Sequence, residues 1–149
     1  MDGDYSNRAA LEDFIGYKLR QRGLAQRLAL PPSPPLPLNP LHLAMREAGD
    51  EFEARFTSTF SRLSSQLHVT PTLVHQRLAQ VSAELFTGDT NWGRLVAFFA
   101  FGAALCEECV DKEMPTLVSQ VIAWMANYLD HNLQDWIQRN GGWGKFVLL

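Results

Sequence analysis

Twelve consecutive residues, Leu95 to Cys106 (LVAFFAFGAALC), carry no charge. This run constrains the fold more than any other feature of the chain. It is shorter than the roughly 18 apolar residues that a bilayer span requires. Its length and uniform apolarity instead fit a helix buried on all sides at the centre of a globule. Such a helix needs neighbours that each carry one apolar face.

The rest of the chain supplies those faces. Between Arg8 and Leu28, the residues Leu11, Phe14, Ile15 and Leu19 recur at helical spacing, with Arg20, Arg22 and Arg27 at polar positions. The stretch 31–40, PPSPPLPLNP, cannot continue a helix, because proline lacks an amide donor and restricts its neighbour. It reads as a linker between two packed helices rather than as a proline-rich docking ligand. From Leu41 to Phe56 the stripe Leu41, Met45, Ala48, Gly49, Phe52 and Phe56 predicts a second amphipathic helix, with Arg46, Glu47, Asp50, Glu51 and Glu53 largely beside it. Phe60, Leu63 and Leu67 suggest a short third helix. Thr70 is placed to cap, and Pro71 to open, a fourth that carries Val74, Leu78, Val81 and Leu85. After a turn over Thr87 to Asn91 comes the apolar helix, fifth in this count. A sixth follows Pro115 with Leu117, Val118, Val121, Ile122, Met125, Tyr128 and Leu129, and Gly141-Gly142 separates two short terminal pieces, Leu133 to Gln138 and Trp143 to Leu149. No strand-like alternation occurs. The expectation is one all-α domain over residues 1–149, a bundle of about seven or eight helices around a hydrophobic centre.

Composition narrows the function. A net charge of -3 gives no basic footprint for nucleic acid. The start, MDGDYSNRAA, is acidic and polar, unlike a secretory signal, which points to an intracellular protein. Cys106 and Cys109 share a helical face, but two thiols cannot complete a structural zinc site, and no preceding strand offers a thioredoxin-like setting. They read as packing or surface thiols. His42, His68, His75 and His131 are scattered without ligand spacing and read as surface or structural residues. With no nucleotide-binding or nucleophile motif either, the chain reads as an interaction protein rather than an enzyme, with no cofactor or metal.

One residue stands apart. In Thr90-Asn91-Trp92-Gly93-Arg94 the arginine falls in the first turn of the apolar helix, where the helix dipole disfavours a cation. Either an acidic residue of this chain meets it, or it waits for an acidic side chain from outside.

Four segments, in order, resemble the homology regions of the pro-survival Bcl-2 family, most nearly its Bcl-w branch. They are FIGYKLRQRG from Phe14, MREAGDEF from Met45, ELFTGDTNWGRLVAFFAFGAAL from Glu84 and WIQRNGGW from Trp136. The resemblance implies a helical bundle around a central hydrophobic hairpin, and a groove that captures the amphipathic death helix of pro-apoptotic relatives. Helix-in-groove recognition by this family is established already and is not read from these residues. Carried over by motif, Phe52, Arg55 and Phe56 form one wall, and Phe60 and Leu63 lie deeper. Val81, Glu84 and Leu85 come from the fourth helix, while Asn91, Gly93, Arg94, Val96, Ala97 and Phe101 come from the turn and central helix. Arg94 takes the place of the family arginine that pairs with the ligand's aspartate, and Gly93 that of the glycine that permits close backbone approach. Phe98, Phe99 and Leu105 are assigned to the core; Phe101 fits core and groove equally.

The resemblance also implies a restraint on permeabilisation of the mitochondrial outer membrane, exerted from its cytosolic face or at the endoplasmic reticulum. A membrane anchor is expected beyond the homology regions; the sequence to Leu149 does not contain it, and its removal is favoured over a naturally cytosolic form. The short proline-rich linker departs from relatives with long loops, which puts loop-borne phosphorylation control in doubt. The rival function is a pore-forming, pro-apoptotic effector of the same fold.

Overall fold

The computed structural model describes residues 6–24, 39–56 and 70–149, and every regular element among them is helical. The segment 31–38 and the predicted short helix around Phe60 to Leu67 lie outside the described residues. The described helices are α1 (Asn7–Gln21), α2 (Pro40–Arg55), α3 (Pro71–Leu85), α4 (Trp92–Asp111), α5 (Thr116–Tyr128), α6 (Gln134–Arg139) and α7 (Gly142–Val147).

Short polar side chains set where the first four begin. Ser6, Asn39, Thr70 and Asn91 each stand in extended backbone and accept a hydrogen bond from an amide three residues on, that of Ala9, His42, Leu73 and Arg94, at 2.9 to 3.1 Å. Each satisfies an amide that the helix geometry leaves without a partner. Pro40 and Pro71 occupy the first helical positions, where no amide donor is needed.

The far ends of α1 and α4 share one geometry. The Leu24 amide donates to the Leu19 carbonyl and that of Gly23 to Arg20, with Gly23 at φ 70°. In α4, the Met114 amide donates to Cys109 and that of Glu113 to Val110, with Glu113 at φ 61°. Both are left-handed terminations. Because α1 stops this way, it ends at Gln21, well short of the Leu28 that apolar spacing alone suggests.

The apolar run lies at the centre of the bundle, but not buried on every side as its composition suggests, because Ala97 and Ala104 fall on a stripe of the helix that no neighbour fully covers. In α4, Leu95, Phe98, Phe99 and Leu105 are at most 1% exposed, and α1, α2, α3 and α5 all pack against this helix. From α1 come Leu11, Phe14, Ile15 and Leu19, with Phe14 edge-on to Phe99 at 6.0 Å between ring centroids. Leu41 and Met45 of α2, Val74 and Leu78 of α3, and Val118, Val121, Ile122 and Met125 of α5 complete the same cluster. A Cβ on Gly102 would stand 2.3 Å from the Met125 sulfur, so the bare backbone at 102 leaves room for the end of the Met125 side chain. Cys106 and Cys109 are buried free thiols, and burial pushes the Cys109 thiol up to about 11 and that of Cys106 well above its ordinary value. Thiolate chemistry is therefore suppressed at both.

The chain then passes from α5 to α6 through one wider turn, Leu129–Leu133, without the break expected before Leu133. Asn7 ties the first helix to this end of the chain. Its amide nitrogen donates to Asp130 and to Gln134, each at 2.8 Å, and its oxygen accepts from the indole of the buried Trp143 at 2.7 Å.

Two ionic groups join α1 to α2. Arg46, which the helical pattern puts among the polar positions, is buried; its guanidinium donates to both carboxylate oxygens of buried Asp13, at 2.9 and 2.6 Å. His42 lies beside this pair, and burial holds its imidazole below the usual value despite Asp13. The second group is a chain of alternating charge. Lys18 bridges Asp50 and Glu53 at 2.5 Å each, and Arg22 bridges Glu53 at 3.0 Å and Glu107 of α4 at 3.8 Å. Burial works to raise the Asp50 and Glu53 carboxyls, but hydrogen bonds from Lys18 and its neighbours outweigh it and leave both below their usual range. At Glu107 burial wins over Arg22, and the carboxyl is pushed up to about 7.

Two substitutions test these features. Glu113→Gly is expected to raise stability by about 0.5 to 1 kcal/mol, because it relieves a side chain held at positive φ; chemical denaturation measures it, and a loss would mean that the side chain matters more than the backbone strain. Glu107 binds its proton more tightly folded than unfolded, where its value is near 4.5, so stability falls as pH rises from about 4.5 through about 7. At roughly 1.4 kcal/mol per pKa unit, Glu107→Gln should gain on the order of 3 kcal/mol over wild type by pH 8, with little difference near pH 4. A pH-independent difference would exclude the titration of this group as the cause.

Candidate functional site

The groove inferred from resemblance would lie over α4 between α2 and α3. Among the described residues these two helices pack on α4 without an extensive contact with each other. On α2, Phe52 is half-buried against the core and Phe56 is 45% exposed, their rings tilted at 4.8 Å between centroids. Arg55 is exposed and pairs with Glu51 at 2.9 Å. One face of the Phe56 ring packs on Phe52 and the rest is left to solvent.

On α3, Val81 and Leu85 are partly buried against the core, and Glu84 faces solvent. Asn91 and Gly93 are exposed, Ala97 is half-buried, and Val96 and Phe101 are buried at 6% and 9% within the core cluster. Phe101 therefore packs with Phe98, Phe99 and Leu105, the residues assigned to the core from sequence. Phe60 and Leu63 lie outside the described residues. A Cβ at Gly93 would meet only the Asn91 side-chain oxygen, at 3.2 Å. The core does not demand a glycine there.

Arg94 resolves the electrostatic question in a way that neither sequence alternative anticipated. One guanidinium nitrogen, Nη1, donates to the Leu85 carbonyl at 2.8 Å and to the Thr87 carbonyl at 3.3 Å. Leu85 is the last residue of α3, so the cation meets the negative end of a helix dipole. That offsets its unfavourable place in the first turn of α4. Among the described residues Arg94 has no carboxylate within ion-pair distance, and it keeps partial exposure. Backbone oxygens satisfy hydrogen-bonding capacity but leave the formal charge unneutralised. The arrangement can thus accept a carboxylate.

The carbonyls of Leu85 and Thr87 belong to this site, and sequence reasoning missed them because a backbone acceptor has no side-chain signature. The only trace was the glycine in the turn between α3 and α4.

Residues 45–143 match the profile of apoptosis regulator proteins of the Bcl-2 family, and residues 4–25 match that of Bcl-2 homology region 4. The chain is 52% identical over 147 residues to apoptosis regulator R1 of Xenopus laevis, covering 98% of this chain and 62% of the relative. It is 57% identical over 114 residues to Bcl-2-like protein 1 of Homo sapiens, covering 76% of this chain and 49% of the relative. Apoptosis regulator Bcl-2 of Gallus gallus matches at 49% over 120 residues, covering 80% and 50%. The chain thus spans about half to three-fifths of the length of these relatives. It belongs to the Bcl-2 family of apoptosis regulator proteins.

Proposed function

We propose that this chain is a pro-survival member of the family, which captures the amphipathic death helix of pro-apoptotic relatives in the groove over α4 and so restrains permeabilisation of the mitochondrial outer membrane. Within the family it is read as Bcl-w-like, from the resemblance of its four homology segments. The site of action is the cytosolic face of that membrane or of the endoplasmic reticulum. No described helix is itself long and apolar enough to cross a membrane.

The observation that carries the reading is Arg94, a partly exposed guanidinium without a carboxylate among the described residues, anchored at the rim of an apolar surface. An incoming helix would set apolar anchors at i, i+3 or i+4 and i+7 against α4 and its flanking walls. Val81 and Leu85 on one side, and Phe52 and Phe56 on the other, offer the complementary surface. An aspartate on the same helix would then meet Arg94 in a partly dried setting, and a helix backbone would approach closely over Gly93. This is binding chemistry, with no bond made or broken.

Arg94→Ala is expected to weaken capture of an aspartate-bearing death helix about tenfold to a hundredfold, the equivalent of roughly 1.5 to 3 kcal/mol for a charge-assisted pair. Arg94→Glu should weaken it further by setting two carboxylates together. Calorimetric titration of wild type and both variants, against one peptide and its Asp→Ala form, closes a double-mutant cycle. Additive losses would show that Arg94 serves only the fold. In liposomes, suppression of an effector's dye release is expected; release by this chain alone would point to the pore-forming rival.

A further inference from the structure

The α3–α4 turn does more than connect two helices. The last turn of a helix leaves carbonyls without amide partners, and in α3 these are taken up locally. The Phe86 amide donates to Ser82, the Thr87 hydroxyl donates to the Ala83 carbonyl, and Arg94 donates to the carbonyls of Leu85 and Thr87. On the other side, Asn91 accepts the Arg94 amide at 2.9 Å. Arg94 is therefore held twice, through its backbone by the cap of its own helix and through its guanidinium by the end of the preceding one.

Closing that bracket requires the chain to reverse within the few residues between Leu85 and Asn91. Gly88 does so at φ 77°, a region that side chains with a Cβ enter at a cost. A Cβ there would meet nothing within 4 Å, since the residue borders an open cavity of about 550 Å³. The glycine is thus required by backbone conformation alone, with no steric demand from packing. Two of the five N–H donors of a guanidinium suffice for a bidentate carboxylate. Nη1 is turned to the carbonyls of Leu85 and Thr87, and the other end of the fork is left for a ligand.

We infer that the carbonyls of Leu85 and Thr87 and the Gly88 turn form a bracket that presets the Arg94 guanidinium for carboxylate capture, with Gly88 as a positioning residue. The inference rests on the proposed function of Arg94. An arginine side chain free in solution loses rotamer entropy on pairing, and a preset one has already lost it. The bracket converts part of the binding cost into a property of the free protein.

The test uses the whole chain, an amphipathic peptide with one aspartate among apolar anchors, and its Asp→Ala form. In wild type, NMR should find slow rotation about the Arg94 Nε–Cζ bond before any peptide is added. Gly88→Ala should speed that rotation and weaken the aspartate peptide about three- to tenfold, while the alanine peptide binds as before. Gly88→Asn should restore both, because asparagine tolerates positive φ; melting curves of the three proteins check that the fold is kept. Equal loss for the two peptides in Gly88→Ala, or rotation already fast in wild type, overturns the bracket. Slow rotation relieved by Gly88→Ala, with both peptides bound equally by wild type, leaves the bracket standing as a helix cap and overturns instead the reading of Arg94 as a carboxylate receptor.

Discussion

A helix that is enclosed by packed neighbours on all but one stripe sets the terms for everything around it. Once α4 is buried, its neighbours must each turn an apolar face inward, and four of them do, while their own polar faces decide what the surface looks like. The same burial explains where the molecule has chemistry to offer. The interior of α4 presents only rings, methyl groups and inert thiols, so recognition is confined to its ends and to the gap between the helices that flank it. Arg94 is at one end, and Glu107 is near the other.

Charge is admitted to this interior only in company. Asp13 and Arg46 enter it as a bidentate pair, and Lys18 enters with two carboxylates. Removing one member of such a group would strand the other away from water, which costs far more than the pair contributes. Both groups join α1 to α2, so the Met45 to Phe52 segment of α2 is held to the bundle by its charged residues as well as by its apolar stripe. Asp50, the aspartate of that segment, is engaged by Lys18 and Tyr17 at 2.5 Å each. It is spoken for within the molecule and not presented to another groove.

Much of this was legible in the sequence. The apolar run, the spacing of Val74, Leu78 and Leu85, and the Thr70-Pro71 start all predict what the structure has, because periodicity and capping are local properties. The end of α1 was overrun because apolar spacing continues past Gly23, while the termination depends on a left-handed residue that spacing does not record. Arg46 was misplaced among the solvated residues because its partner, Asp13, is 33 positions away. For the candidate site, motif placed Arg94 correctly at a helix start. What holds it is a pair of carbonyls, and any residue type would have supplied those, so no pattern of side chains could announce them.

The Asn7 junction has a consequence for how the protein is made. Asn7 leaves the ribosome well before its partners, which lie 123, 127 and 136 positions later. Contacts of such separation form late, after the loop between them has been closed at an entropic cost. During synthesis the Asn7 junction must therefore wait until almost the whole domain has emerged, and the apolar face of α1 stays partly uncovered until α4 and α5 follow. A nascent chain in that state exposes Leu11, Phe14 and Ile15 together, the kind of surface that chaperones bind. The feature that makes the finished bundle a single cooperative unit is thus also the one that makes its birth depend on protection.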